Sequence, residues 1–403
     1  SHASDEDLCL KTVEVSDEEL YSNHWMHEDE TSEVALQLMK FCYLGEGYFD
    51  KVVQIIEDFG ADVNYKSVQG LTPILVASNE NHVDLVKYLV DGGADINCVD
   101  RNNCTSLMLA CRNVNKPLAL YLINNHADMT VVDSSTGDTV LHIICQNNMV
   151  ELMEDIINLP RKILRKLNLK VINSMNGYNL LHCAVLENSL NMCKLLVRQG
   201  LDVNECNVMD DYNSPLHYAC MNLQVPVVEF LLSKNARACI SNERGVSPLA
   251  IVLRRHDVTL ARLLHQHGAD VTEVDPESGD SFLHIACREG KVDIAKWLLR
   301  SGVDPSAENK AGLSATKLAH ASGREDLLEW ILAWILSVQL KQPIEKVLTE
   351  AHTLPLPQTH HSFSTDHSPQ SDTEILHLRS SGMEFDESGD SGEDPADLLE
   401  FDV

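Results

Sequence analysis

The sequence predicts an all-α solenoid of short helix-turn-helix units with hairpin fingers, followed by a disordered acidic tail. Three observations predict it. A helix-start pattern recurs eight times, with spacings of 33, 34, 40, 35, 33, 34 and 33 residues between anchors at 73, 106, 140, 180, 215, 248, 282 and 315. Apolar residues follow each start at helical spacing, as in Val227, Val228, Phe230, Leu231 and Leu232. A Gly-Ala-Asp exit or a relative of it breaks many of the second helices, as at Gly60, Gly93 and Gly268. A period of this length marks a repeat array, in which a unit buries its apolar face only against its neighbours.

In chain order, residues 1–31 form an acidic segment with ten acids and one Lys. Ser16-Asp17-Glu18-Glu19 has the capping-box pattern and predicts a short helix carrying Leu20, Tyr21 and Trp25, either packed on the first repeat or free. The repeat domain spans 32–340 and starts with an atypical unit, Ala35–Gly60. The regular starts follow: Thr72-Pro73, Thr105-Ser106, Thr139-Val140-Leu141-His142, Asn179-Leu180-Leu181-His182, Ser214-Pro215-Leu216-His217, Ser247-Pro248, Ser281-Phe282-Leu283-His284 and Ser314-Ala315. Thr, Ser or Asn caps the first helix by accepting from its free N–H groups. Pro suits the first helical turn, where its missing N–H is not needed. Glycine at the second helix's end supplies positive φ. Asp62-Val63-Asn64, Asp95-Ile96-Asn97 and Asp202-Val203-Asn204 then start turns. The last unit runs on through Trp330 and Trp334, which share one helical face. They either seal the stack or dock a partner.

These starts, the period and the turns together resemble the ankyrin repeat over about 32–335, with about nine units. The resemblance implies antiparallel helix pairs stacked into a curved solenoid, and protein recognition by the fingers and first-helix ends that line the concave groove. Carried onto this chain, the contact residues are Arg101, Asn102, Arg112, Tyr178, Asn179, Asp211, Tyr212, Met221, Arg244, Arg254, Arg255 and Arg288. The resemblance also suggests that Arg244, Arg254, Arg255 and Arg288 converge.

Composition narrows the chemistry. The chain has 31 Lys+Arg against 61 Asp+Glu, a net charge of −30, which disfavours direct nucleic-acid binding. The apolar run near Leu327–Leu340 includes Glu329 and is shorter than the ~20 residues a bilayer span takes, so no membrane insertion is expected. No secretory signal opens the chain, and its first residue is Ser, which suggests a processed chain or part of a longer one. The twelve cysteines then read as reduced thiols, and the localisation as cytoplasmic, with the nucleus as an alternative. His142-x-x-Cys145, His217-x-x-Cys220 and His284-x-x-Cys287 imitate metal-ligand pairs, but each sits in a different repeat and four ligands do not converge. No phosphate loop or nucleophile motif is present, so neither cofactor nor enzymatic activity is expected.

Two departures stand out. The 40-residue spacing holds extra chain near 159–170 with Arg161, Lys162, Arg165, Lys166 and Lys170. It reads either as a solvated loop or as a site for an anion or acidic peptide. The tail, 341–403, carries Ser391 in an acid-directed kinase pattern and ends in Leu398-Leu399-Glu400-Phe401-Asp402. That ending resembles a clathrin box, and also an acidic dileucine signal or an acidic transcription-activation segment. The first expectation is therefore a scaffold or adaptor whose groove holds one protein and whose tail recruits a second, clathrin or an adaptor. The alternatives are a nuclear or shuttling regulator resembling the Rel-factor inhibitors, and the recognition segment of a larger enzyme such as a ubiquitin ligase or kinase.

Overall fold

The computed structural model describes residues 33–160, 164 and 167–353. The expectations placed on 1–31, on Arg161, Lys162, Arg165 and Lys166, and on Ser391, Leu398, Leu399, Phe401 and Asp402 lie outside the described residues.

The described chain up to Leu340 forms nine helix pairs. They are α1 (Glu33–Leu44) with α2 (Phe49–Glu57), α3 (Pro73–Asn79) with α4 (Val83–Asp91), α5 (Ser106–Arg112) with α6 (Lys116–Asn124), and α7 (Val140–Gln146) with α8 (Val150–Ile157). Next come α9 (Leu180–Leu186) with α10 (Leu190–Arg198), α11 (Pro215–Met221) with α12 (Val225–Ser233), and α13 (Pro248–Arg254) with α14 (Val258–Gln266). The last pairs are α15 (Phe282–Glu289) with α16 (Val292–Arg300) and α17 (Ala315–Ala321) with α18 (Glu325–Leu340). All eight predicted anchors are the first residues of their helices. A final helix, α19 (Ile344–Thr353), occupies chain that the sequence reading placed in the tail.

The residue after each anchor faces the core. Ile74, Leu107, Leu141, Leu181, Leu216, Leu249 and Leu283 are all at most 2% exposed. Full burial of such a side chain contributes about 1.5–3 kcal/mol. Twelve residues after each anchor, Leu85, Leu118, Leu152, Met192, Val227, Leu260, Ile294 and Leu327 form the matching stripe on the second helices. The two stripes merge into one apolar cluster running from Leu38 to Ile331. In the ninth repeat the first stripe ends, because the position after Ala315 is Thr316, bonded to Ser314. Trp330 and Trp334 are half-buried, their rings stacked with centroids 5.6 Å apart, and Lys296 Nζ lies 5.1 Å from the Trp330 centroid.

First helices of neighbouring repeats pack more extensively on one another than second helices do, so the first-helix side of the array is its inner wall. On the opposite side the predicted turns form: Asp62, Asp95 and Asp202 each accept from the N–H two residues on, at 2.8–2.9 Å. Asn64 and Asn97 then accept from the next repeat's Asp95 and Asp128 N–H at 2.7 and 2.8 Å. Gly60, Gly93 and Gly268 have φ of 66°, 89° and 93°, as their helix exits require.

Candidate functional site

The fingers project beside the inner wall. Each is a hairpin closed where its first residue donates a backbone bond to the carbonyl two residues before the next anchor. Ser67–Leu71, Asp100–Cys104, Asn242–Val246 and Asn309–Leu313 close over four residues. Asp133–Asp138, Asn173–Tyr178 and Asp275–Asp280 close over five. Asn207–Asn213 closes over six.

Histidines tie the hairpins to the helices. Ser214 N–H donates to His217 Nδ1 at 3.1 Å, and His217 Nε2 lies 3.2 Å from the Val246 carbonyl of the next finger. A carbonyl only accepts, so the proton sits on Nε2. His142 reaches Tyr178 O at 3.2 Å and His284 reaches Leu313 O at 3.0 Å in the same way. The histidines of the apparent metal-ligand pairs thus serve the stack, and their cysteine partners are buried. Among the described residues no group of three or more His, Cys, Asp or Glu is placed to hold a metal ion. His182 differs. Its Nδ1 accepts from Asn179 N–H at 3.2 Å, but Nε2 is buried without a hydrogen bond. Burial lowers its pKa to about 4, the Glu205 backbone opposing the shift in part.

The finger that His182 fails to reach is the longest one. Its last turn needs positive φ three residues before the anchor, a slot filled by glycine in six other fingers and by Asn103 in the seventh. Here Tyr212 occupies it at φ 57°, preceded by Asp211 at 48°. A bulky residue in this region is strained and persists only where its surroundings hold it. Asp211 is ion-paired to Arg244 at 2.8 Å, and Tyr218 Oη–H donates to Asp210 at 2.5 Å. Tyr212 is 48% exposed, beside Val208 and Met209 at 62% and 58%, and Met175 on the preceding finger is 59% exposed. Four large apolar side chains therefore stand in water on adjacent finger tips.

The remaining expected contact residues divide by what they already bind. Arg101 is exposed and its side chain donates to Val68 O at 2.9 Å, while Asn102 is exposed and its backbone carbonyl accepts from Ser134 N–H at 2.8 Å. Arg112 pairs with Asp133 at 2.6 Å, and Arg288 pairs with Asp280 at 2.6 Å. Burial pushes both carboxyls up, but hydrogen bonds outweigh it and hold them below the usual carboxylate range: Ser135 and Arg112 on Asp133, Asn309 and Arg288 on Asp280. Asn179 is 1% exposed: its side chain caps α9 and bonds Glu205, so it presents no surface. Tyr178 is half-buried with its ring edge-on to Tyr218, and Met221 is half-buried at the end of α11. Arg254 and Arg255 are exposed at the end of α13, and Lys170 is exposed beside the inserted stretch. Of the four arginines expected to converge, Arg244 and Arg254 line one pocket and Arg288 is turned to its own finger.

Sequence reasoning missed Met175, Val208 and Met209. Their signal was present: apolar residues between the Asn that opens a finger and the residue that closes it.

The family model for ankyrin repeats matches residues 38–133, 107–207, 141–242, 199–275, 216–309 and 249–341. Among curated proteins, the chain is 29% identical over 153 residues to human transient receptor potential cation channel subfamily A member 1, covering 38% of this chain and 14% of the channel. It is 30% identical over 159 residues to the chicken (Gallus gallus) nuclear factor NF-kappa-B p105 subunit, 38% of this chain and 16% of that protein. It is 28% identical over 193 residues to the mouse B-cell lymphoma 3 protein homolog, 47% of this chain and 41% of that protein. The chain thus spans well under two thirds of the length of these relatives. Repeat period, helix pairs, fingers and matched residues agree along the whole array, and the chain belongs to the ankyrin-repeat family.

Proposed function

We propose that the chain is a non-catalytic scaffold that grips a protein partner with its finger tips and first-helix ends. Ankyrin repeats are protein-interaction modules, and the observation that carries the reading here is the exposure of Met175, Val208, Met209 and Tyr212 on two adjacent fingers. These side chains are about half exposed, and one of them is held in strained backbone. Interfaces concentrate their energy in a few aromatic and Arg anchors, and Tyr212 beside Arg244 supplies both. The tail ending Leu398-Leu399-Glu400-Phe401-Asp402 would recruit the second partner, clathrin or an adaptor, in the cytoplasm. The test is proximity labelling in cells with the wild type and with Met209→Asp/Tyr212→Asp. Loss of a defined set of neighbours is expected, and an unchanged set would remove the finger tips from the reading.

The likeness to the NF-kappa-B p105 subunit and to the B-cell lymphoma 3 homolog favours a second reading, a nuclear or shuttling regulator. Pulldown with the 390–403 peptide against clathrin terminal domain separates the two. Binding that is lost on Leu398→Ala/Phe401→Ala supports the adaptor, and no binding supports the regulator.

A further inference from the structure

The finger tips carry charge as well as apolar surface, and the two together specify what fits on them. The apolar surface runs on from finger to finger. Met175 lies across the turn of the preceding finger, where a Cβ on Gly137 would stand 2.6 Å from its Cγ. Met209 lies in the same way across Gly177, the turn of the finger that carries Met175, with its Cβ and Cγ 3.0 Å from where a Cβ would stand. Glu243 N–H then donates to the Asp211 carbonyl at 2.7 Å, which sets finger 242–246 beside the Tyr212 tip.

The charge at this surface is negative. The five fingers between 133 and 280 hold eight Asp and Glu and one cation, Arg244. Arg244 is paired with Asp211, so that pair is neutral. Asp210 accepts from Tyr218 Oη–H and from the Asn213 side chain, neutral donors that leave its charge in place. Glu243 is exposed and in no ion pair among the described residues. Two uncompensated carboxylates therefore border Val208, Met209 and Tyr212. Finger 173–178 has no charged residue, and the helix behind it, α9, ends at exposed Glu187. Farther along the wall Arg254 and Arg255 close α13. Arg254 shares its recess with Glu273, Asp275, Asp280 and Glu289, so it does not reverse the sign.

We propose that these finger tips bind a basic segment of another protein. Its large apolar side chains cover Met175, Val208 and Met209, and its Lys or Arg residues meet Glu243, Asp210 and the Tyr212 ring. The proposal rests on the scaffold reading and names the chemistry of the partner. An aromatic face attracts a cation, so Tyr212 serves both the apolar and the basic residues of the segment. An acidic segment would bring like charge onto the tips. A second copy of the chain fits poorly for the same reason, since it carries −30 and the same acidic fingers. Apolar contact supplies most of the affinity, and the charges select the ligand and speed its approach.

A random dodecapeptide library displayed on phage and panned on the full chain tests this directly. The expected consensus joins Leu, Phe or Trp to Lys or Arg. A synthetic peptide of that consensus should bind about tenfold tighter than its versions with Glu for the cations or Ser for the apolar residues. Glu243→Lys should weaken it about fivefold with an unchanged melting temperature. Glu154→Lys, the same charge change on the exposed side of α8, should leave it unchanged. Met175→Ser/Val208→Ser should weaken it about tenfold. No basic consensus, equal binding of the Glu peptide, equal effects of Glu243→Lys and Glu154→Lys, or indifference to Met175→Ser/Val208→Ser overturns the proposal. A photo-crosslinking residue placed at Val208, and separately at Arg254, separates this failure from failure of the scaffold reading. A cellular partner trapped at Val208 and displaced by the basic peptide supports the proposal. A partner trapped at Val208 that the peptide does not displace, or one trapped at Arg254 alone, sinks the basic segment and leaves the scaffold. A second copy of the chain trapped at Val208 overturns the proposal, and nothing trapped at either position removes both readings.

Discussion

Two neighbouring fingers, 173–178 and 207–213, do the same task with different success. The first closes over five residues, turns on Gly177 at φ 73°, and presents the Tyr178 carbonyl to His142. The second closes over six, turns on Asp211 and Tyr212, and leaves His182 Nε2 without a partner. One extra residue thus brings together strain at the tip and an unbonded N–H beneath it. An unsatisfied buried donor costs about 1–3 kcal/mol, and left-handed backbone at a non-glycine about 1–2 kcal/mol. The regular finger is built for the stack. The irregular one gives up stability, and what it displays in exchange is Tyr212, Met209 and Val208.

The largest break in this contrast comes from Gly177→Ala. A Cβ there would lie 2.1 Å from Asn207 Oδ1 and 3.0 Å from Met209 Cβ, on backbone that already needs glycine. Asn207 is fully buried and joins the two fingers through its bond to Asn176 O at 2.9 Å, so it cannot move without losing that link. Destabilisation of about 3–4 kcal/mol is expected, read by chemical denaturation and by hydrogen exchange in α9 and α11. A loss below about 1 kcal/mol would mean that the fingers are not coupled.

The histidines sharpen the contrast next. His217→Ala removes a relay bonded at both nitrogens, whereas His182→Ala removes one bonded at Nδ1 alone. Losses of about 2–3 and 1–2 kcal/mol are expected, the difference being the bond to the next finger. Equal losses would mean that the relay bond contributes nothing.

Acid should act on both histidines. Burial lowers each to about 4 in the folded chain, with backbone carbonyls such as Val246 O opposing the shift at His217. Unfolded histidine titrates near 6.5. Between those values the unfolded state binds more protons, so stability is complete above pH ~6.5 and falls as the pH drops towards 4. At pH 5 the loss is about 2 kcal/mol for each such histidine. A denaturation series from pH 7 to pH 5 reads it, and its slope should shrink in His217→Ala. A flat series would contradict neutral buried rings.

Most of the array was legible because one physical unit repeats. Cap, apolar stripe and exit glycine are local signals, and eight copies let each correct the others, so every anchor coincides with a helix start. Legibility falls where one repeat reaches into another. Arg254 and Arg288 hold equivalent positions, yet Arg288 is taken by Asp280, eight residues back on its own finger, whereas the residue eight back from Arg254 is Val246, which offers no carboxylate. Asn179 looked like a finger-tip contact and is instead the buried cap of α9, because the same residue type serves both positions. The orphaned nitrogen of His182 depends on the length of the following finger, which no single-repeat pattern encodes. Helix α19 carries no Thr-Pro start and no glycine exit, so the period could not announce it.

The smallest expected effect has the opposite sign. Tyr212→Gly restores to the long finger the residue that six of its neighbours use at that slot. Half of the Tyr side chain is already in water, so little burial is lost. Relief of left-handed strain should outweigh the extra freedom of glycine in the unfolded chain, for a gain of about 1 kcal/mol in denaturation. Binding should move the other way, because the tip loses its aromatic anchor while Arg244 and Asp211 stay paired. A variant that is both more stable and less able to hold the partner would show that this finger is shaped for contact rather than for the stack. If Tyr212→Gly instead destabilised the chain and left binding intact, Tyr212 would belong to the fold. The strain at φ 57° would then be an ordinary cost of its longer hairpin.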